Sequence, residues 1–75
     1  MKAYILINAG LGVVSDVLDD LRKINEIKSA NSTAGPYDII AFIESGDLPG
    51  LGDIIVKKIQ KISGVSKTLT CIIIE

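Results

Sequence analysis

Three short apolar runs and one mixed, polar run, separated by two stretches of helical spacing, are what most restricts the fold open to this chain of 75 residues. Ala3 to Ile7 is a continuous apolar run of strand length, broken by Asn8-Ala9-Gly10-Leu11-Gly12. Val14, Val17, Leu18, Leu21 and Ile24 then recur at helical spacing, with Ser15, Asp16, Asp19, Asp20, Arg22 and Lys23 on the other side. Acidic residues lead this helix and basic ones trail it, as the helix dipole favours. Glu26 to Thr33 is mixed and polar and reads as a weak edge strand, where polar side chains discourage stray pairing. Tyr37 to Glu44 is a strong strand. Ser45-Gly46-Asp47 turns the chain, and Leu48, Leu51, Ile55, Ile59 and Ile62 mark a second helix. Proline is tolerated in its first turn, but Gly50 and Gly52 weaken that turn by roughly 1 kcal/mol each. Ser63-Gly64 ends the helix and Val65 to Ile74 forms the last strand.

The order β-α-β-β-α-β, with right-handed crossovers, predicts an α+β ferredoxin-like sandwich: one four-stranded antiparallel sheet with both helices on one face. A sheet bare on its second face alternates apolar and polar residues, and these strands do not. Ile39, Ala41 and Ile43 oppose Ile40 and Phe42, while Leu69, Cys71 and Ile73 oppose Ile72 and Ile74. Both faces are therefore apolar, and the second needs a cover that one copy does not supply. Composition agrees, with 48% hydrophobic residues and a mean hydropathy of +0.45 on a chain too short to bury them all. The expected cover is the sheet of another copy.

The same composition narrows the function. Net charge is −1, Lys and Arg are scattered, and no basic stripe exists to follow phosphates, which argues against direct nucleic-acid binding. Tyr4, Tyr37 and Phe42 do not make a base-stacking pair on one strand. Histidine is absent, removing the commonest general base and metal ligand. A single cysteine, Cys71, builds neither an internal disulfide nor a thiolate metal site, and reads as a small core residue. Asp16, Asp19 and Asp20 read as the solvated front of a helix. No cofactor is expected. With no signal peptide and no membrane-length apolar run, the expected location is the cytoplasm.

Two glycine segments carry the remaining information. Ala34-Gly35-Pro36-Tyr37-Asp38-Ile39-Ile40 opens a strand with a carboxylate at the junction, and Gly64-Val65-Ser66-Lys67-Thr68-Leu69-Thr70 feeds a strand bearing two hydroxyls on one face. Backbone N–H groups, a carboxylate and hydroxyls are what a small polar ligand needs.

With this architecture, the chain resembles the effector-binding domain of the Lrp/AsnC regulators, the "regulation of amino acid metabolism" module. The family pattern small-Gly-x-aromatic-Asp-aliphatic-aliphatic is met by Ala34 to Ile40. Its second helix begins at Asp-Leu, here Asp47-Leu48, and ends in Gly-Val followed by Thr-x-Thr, here Gly64-Val65 and Thr68-Leu69-Thr70. Ala34 departs from the pattern, since Thr or Ser with its hydroxyl is usual there. Most members carry an N-terminal helix-turn-helix; here Met1 leads straight into the first strand, so a stand-alone effector domain is expected. The resemblance implies a sheet-to-sheet homodimer, assembly of dimers into rings, and a free amino acid bound between dimers.

The expected ligand-binding residues are Gly35, Tyr37, Asp38, Thr68 and Thr70. Backbone N–H groups around Gly35 suit the ligand carboxylate, Asp38 its ammonium or N–H groups of a facing subunit, and the two threonines both donate and accept. Each has a plainer reading. Gly35 serves a turn requiring positive φ, Asp38 caps turn N–H groups, Tyr37 packs at a subunit contact, and Thr68 and Thr70 are ordinary strand formers. Gly64 ends a helix in either case. Signal transfer then runs through co-assembly with, or sequestration of, a full-length regulator. Rival readings are an ACT-type amino-acid sensor, kept open by Gly10 and Gly12, a small enzyme disfavoured by the missing histidine, and a purely structural oligomer. A copper chaperone lacks its Cys-x-x-Cys pair.

Overall fold

A computed structural model describes residues 1–75. Strand β1 (Lys2–Ala9) leads to helix α1 (Val14–Leu21), the hairpin strands β2 (Ile27–Ser32) and β3 (Ile39–Glu44), helix α2 (Leu48–Ile54) and strand β4 (Val65–Ile72). Helix α2 runs on into a π-helical turn, Ile55–Ile59. The sheet order is β2-β3-β1-β4 with every pairing antiparallel, the ferredoxin-like sandwich expected from the element order.

Alternation on the two central strands builds the core. Ala3, Ile5 and Ile7 of β1 lie beside Ile43, Ala41 and Ile39 of β3, all fully buried. Val17 and Leu21 of α1, with Leu51, Ile54, Ile55 and Ile59 of the second helix, pack onto that same face. The core holds 14 residues, every one of them aliphatic or alanine, and no buried polar side chain. Burial of each larger side chain contributes about 1.5–3 kcal/mol, so this face alone holds the helices to the sheet.

The element ends differ from the sequence expectation for local reasons. Helix α1 stops at Leu21, before the basic residues, so Arg22 and Lys23 do not sit in its last turn. Instead Arg22 reaches the edge strand, where its Nη2 and Nε donate to the Ala30 carbonyl at 2.8 and 3.2 Å. Strand β3 begins at Ile39 instead of Tyr37, and β4 ends at Ile72 instead of Ile74. Asp47 caps α2, its Oδ1 accepting from Gly50 N–H at 2.7 Å. Leu48, expected in the buried stripe, is exposed, and Ile54, outside that stripe, is buried in the core. Positions 54 and 59 would stand about 140° apart on a regular α-helix. The wider π turn, closed by Gln60 N–H donating to the Ile55 carbonyl at 2.8 Å, brings both onto the sheet. The helix ends at Ile59, with Gln60 as its C-cap, so Gly64 does not end it as expected but turns the chain into β4 at φ +99°. A Cβ there would lie 2.9 Å from Val13 Cγ2 and 3.0 Å from Val17 Cγ2, so the turn needs glycine on both counts.

The second sheet face is bare and apolar at its centre. Cross-strand partners share a face, so Phe42, Tyr4 and Cys71 form one row and Ile40, Leu6 and Leu69 the next. Tyr4, Ile40, Leu69 and Cys71 are exposed. Tyr4 and Phe42, on adjacent strands, pack their rings 5.4 Å apart, a contact the strand-by-strand reading of the aromatics did not foresee.

Candidate functional site

The two glycine segments meet at the C-terminal end of β1. Between β2 and β3, the loop from Thr33 to Asp38 is held by Thr33 N–H donating to the Asp38 carbonyl (2.9 Å) and Thr33 Oγ1 donating to the Tyr37 carbonyl (2.7 Å). Asp38 N–H donates to the Ile7 carbonyl (2.9 Å). Its Oδ2 accepts from Ala9 N–H, also at 2.9 Å. Continued in register, β3 would offer the Tyr37 carbonyl to Ala9; the carboxylate takes that place, and the strand therefore starts two residues late. Asp38 is thus half-spent on the fold. Its Oδ1 makes no hydrogen bond within the chain.

Gly35 is exposed, and its φ is not positive; only Gly12 and Gly64 adopt that region. The turn reading of Gly35 therefore fails. A Cβ at position 35 would meet nothing within 4 Å. No contact inside one copy explains a glycine there. Tyr37 and Asp38 are half-buried at the base of the same loop.

Thr68 and Thr70 lie on the other flank of β1, opposite Ile7 and Ile5, on the helix-covered face at the sheet edge. Because Ile73 N–H donates to the Lys2 carbonyl, the antiparallel alternation turns the main-chain groups of Thr68 and Thr70 outward from β1. Asp38 and Thr68 are thus two strand spacings apart, about 10 Å. Gly35, Tyr37, Asp38 and Thr68 lie toward one end of the sheet, and Thr70 lies opposite the middle of β1. Two surface recesses lie apart from this set as a whole. One of about 610 Å3 lies at the opposite end, between Glu44-Ser45-Gly46, Asn25-Glu26 and the second helix, and is lined by Glu26, Glu44 and Asp53 with Lys28, Lys57 and Lys58. Lys57 pairs with Asp53 and Lys58 with Glu26 within it. The hydrogen bond from Lys58 holds the Glu26 carboxyl below its ordinary value of 4.5. The other, about 230 Å3, touches the expected set only at Thr68.

Two features near the site had no sequence signal. Register between β1 and β4 shifts between Asn8 and Ala9, leaving Ser66 as the extra residue, with Ser66 Oγ donating to the Asn8 carbonyl at 3.0 Å. Gln60 Nε2 donates to Thr68 Oγ1 at 3.1 Å. Both follow from register and helix pitch, which only the packed chain sets.

Set beside known proteins, residues 2–75 match the Lrp/AsnC ligand binding domain. The chain belongs to this family, which decides against the ACT-type alternative. It is similar to the crystal structure of FFRP-DM1, at 33% identity, covering 97% of each chain with a TM-score of 0.93. It is also similar to AsnC of E. coli, at 24% identity and TM-score 0.94, covering 99% of this chain and 50% of that one. A Neisseria meningitidis transcriptional regulator solved as its L-Met complex shares the fold at 17% identity and TM-score 0.86, covering 99% of this chain and 49% of that one. The chain spans about half the length of these last two proteins. A search of the curated proteins returns no match. No helix is long and apolar enough to cross a membrane.

Proposed function

We propose that this chain is an amino-acid effector module that assembles through its open sheet face and modulates transcription of amino-acid metabolism without catalysing a reaction. Family membership supports the ligand-binding and regulatory parts. The relative solved with L-Met supports a free amino acid as the effector class. The observation that carries the reading is the separation of Asp38 from Thr68 across β1, with neither the recess near Glu26 nor the one near Gln60 joining them. Such a site becomes a pocket when a neighbouring copy closes it.

In this reading, N–H groups around Gly35 take the ligand carboxylate, where the missing side chain lets another molecule approach. Asp38 offers its uncommitted Oδ1 to the ammonium, Thr68 and Thr70 supply hydroxyls, and Tyr37 packs at the subunit contact. Tyr4, Leu6, Ile40, Phe42 and Leu69 of two copies stack face to face into a homodimer, the two sheets about 10 Å apart, and dimers join into larger rings. Ligand then stabilises whichever assembly completes its site. DNA contact falls to a full-length regulator of the same family that co-assembles with this chain in the cytoplasm, since a net charge of −1 without a basic stripe suits no phosphate backbone. A purely structural oligomer is the second reading, favoured by the bond that commits Asp38 Oδ2 to Ala9.

A thermal-shift panel of the twenty amino acids, followed by light scattering, separates the two. One or a few ligands should raise the melting point and change the assembly size. A flat response at millimolar concentrations would leave only the structural oligomer.

A further inference from the structure

Regular structure breaks twice around one recess. The π turn ends at Ile59 and delivers Gln60, and the strand irregularity at Ser66 lines the same recess. Between them is the recess of about 230 Å3 lined by Gln60, Val65, Ser66, Lys67 and Thr68. π turns inserted in α-helices gather at functional positions, because the wide turn re-aims a side chain at some cost in helix stability.

Several donors and a cation line this recess, beside the acceptor oxygens of the Gln60 amide and the Thr68 carbonyl. Thr68 Oγ1 accepts from Gln60, so the threonine's own proton is free to be donated outward. One N–H of the Gln60 amide is also uncommitted. Rotating that amide by half a turn exchanges the roles, with Thr68 donating to Gln60 and the whole NH2 group pointing outward. A donor remains in either orientation. Thr68 adds a main-chain N–H directed away from β1. Lys67 is the only ionic residue lining the recess, and it is cationic. The larger recess at the other end of the sheet differs, because its three lysines face three carboxylates and two of those pairs are already closed.

We infer that the Gln60–Thr68 recess receives an acceptor oxygen of the effector, a carboxylate or carboxamide, and that Gln60 sets this preference. The inference rests on the effector reading above and adds its recognition chemistry. Two parts of an amino acid present such an oxygen, the α-carboxyl group and an acidic or amide side chain. A merely structural Gln60 would tether the helix end to β4, and its loss would be read in melting temperature and assembly size instead of ligand affinity.

Calorimetric titration of the intact protein with each of the twenty amino acids, and with isoamylamine as a leucine analogue lacking the carboxyl group, tests this in wild type, Gln60→Leu, Gln60→Glu and Thr68→Val. Gln60 is exposed, so the first two variants should keep the wild-type melting point and assembly. Affinity for the amino acids that wild type binds should fall roughly ten-fold or more in Gln60→Leu. Gln60→Glu should lose more, since a second carboxylate faces the ligand oxygen. Thr68→Val combined with Gln60→Leu should cost little beyond either alone, as expected of one shared interaction. Equal loss for all ligands, with isoamylamine unbound by wild type, assigns the oxygen to the α-carboxyl group and takes that role from the N–H groups around Gly35. Loss confined to aspartate, glutamate, asparagine and glutamine assigns it to the side chain. Affinities in Gln60→Leu within about two-fold of wild type would overturn the inference and leave the effector reading standing. If wild type binds none of the twenty, the effector reading itself fails and this inference falls with it.

Discussion

Asp38 shows how one side chain serves both fold and ligand, and how substitutions can separate the two. Its Oδ2 closes a main-chain bond to Ala9, while the charge is available to an ammonium. Asp38→Ala strips Ala9 N–H of its acceptor and should cost about 1–3 kcal/mol in thermal or denaturant unfolding. Asp38→Asn keeps an oxygen there and should fold nearly as well, yet lose the amino-acid shift. An asparagine variant with a full ligand response would make Asp38 architectural. Glycines divide in the same way. Gly64→Ala forces a side chain into φ +99° and against Val13 and Val17, and should destabilise by about 2 kcal/mol or more. Gly35→Ala meets no atom within 4 Å and should leave the unfolding curve of a single copy unchanged while weakening ligand response. Motif reading placed both glycines correctly in the chain. The plainer reading of Gly35 as a positive-φ turn fails, because a backbone angle is set by how the hairpin closes and not by the residue that permits it.

Helix α2 and its π turn illustrate how packing revises a periodic pattern. Leu51, Ile55 and Ile59 were legible as a buried stripe at helical spacing. Ile54 was not, because the wider turn that carries it inward costs helix regularity and is offset only when the sheet beneath is present. The same turn sets Lys58 3.1 Å from Glu26, in the connection before β2. Glu26 is held below its ordinary value of 4.5, so its pair contributes stability that is complete above that pH. As pH falls through the lowered value, the carboxylate gains its proton and the contribution disappears. Glu26→Gln and Lys58→Met should each flatten the acid limb of a melting-temperature profile below pH 4.5, with little further change in the double variant. A wild-type acid limb that survives in both single variants would remove this pair from the account. Beyond the end of α1, Arg22 serves the sheet and not the dipole, donating to the Ala30 carbonyl of the edge strand, while Lys23 pairs with Asp20.

The assembled domain leaves its two sheet faces in opposite states, one sealed by helices and one bare. Leu69, exposed on the bare face beside Leu6, is the probe of choice there. Leu69→Asp puts a charge in the middle of the proposed dimer contact, where an unpaired buried carboxylate costs several kcal/mol. Sedimentation should show wild type as a dimer or larger and the variant as a smaller species. A wild-type chain that sediments as one copy at low micromolar concentration would end the assembly proposal. The β-α-β-β-α-β order, the aliphatic core stripe and the apolar character of both sheet faces were all written in residue order. Strand and helix periods are local properties, and each segment carries its own. Where Asp38 spends its oxygens, which glycine turns left-handed, and how Gln60 comes to lie over Thr68 were decided only when strands found their register and the second helix its pitch. Those contacts join residues far apart in the chain, and their energies exist only once the sheet has brought them together.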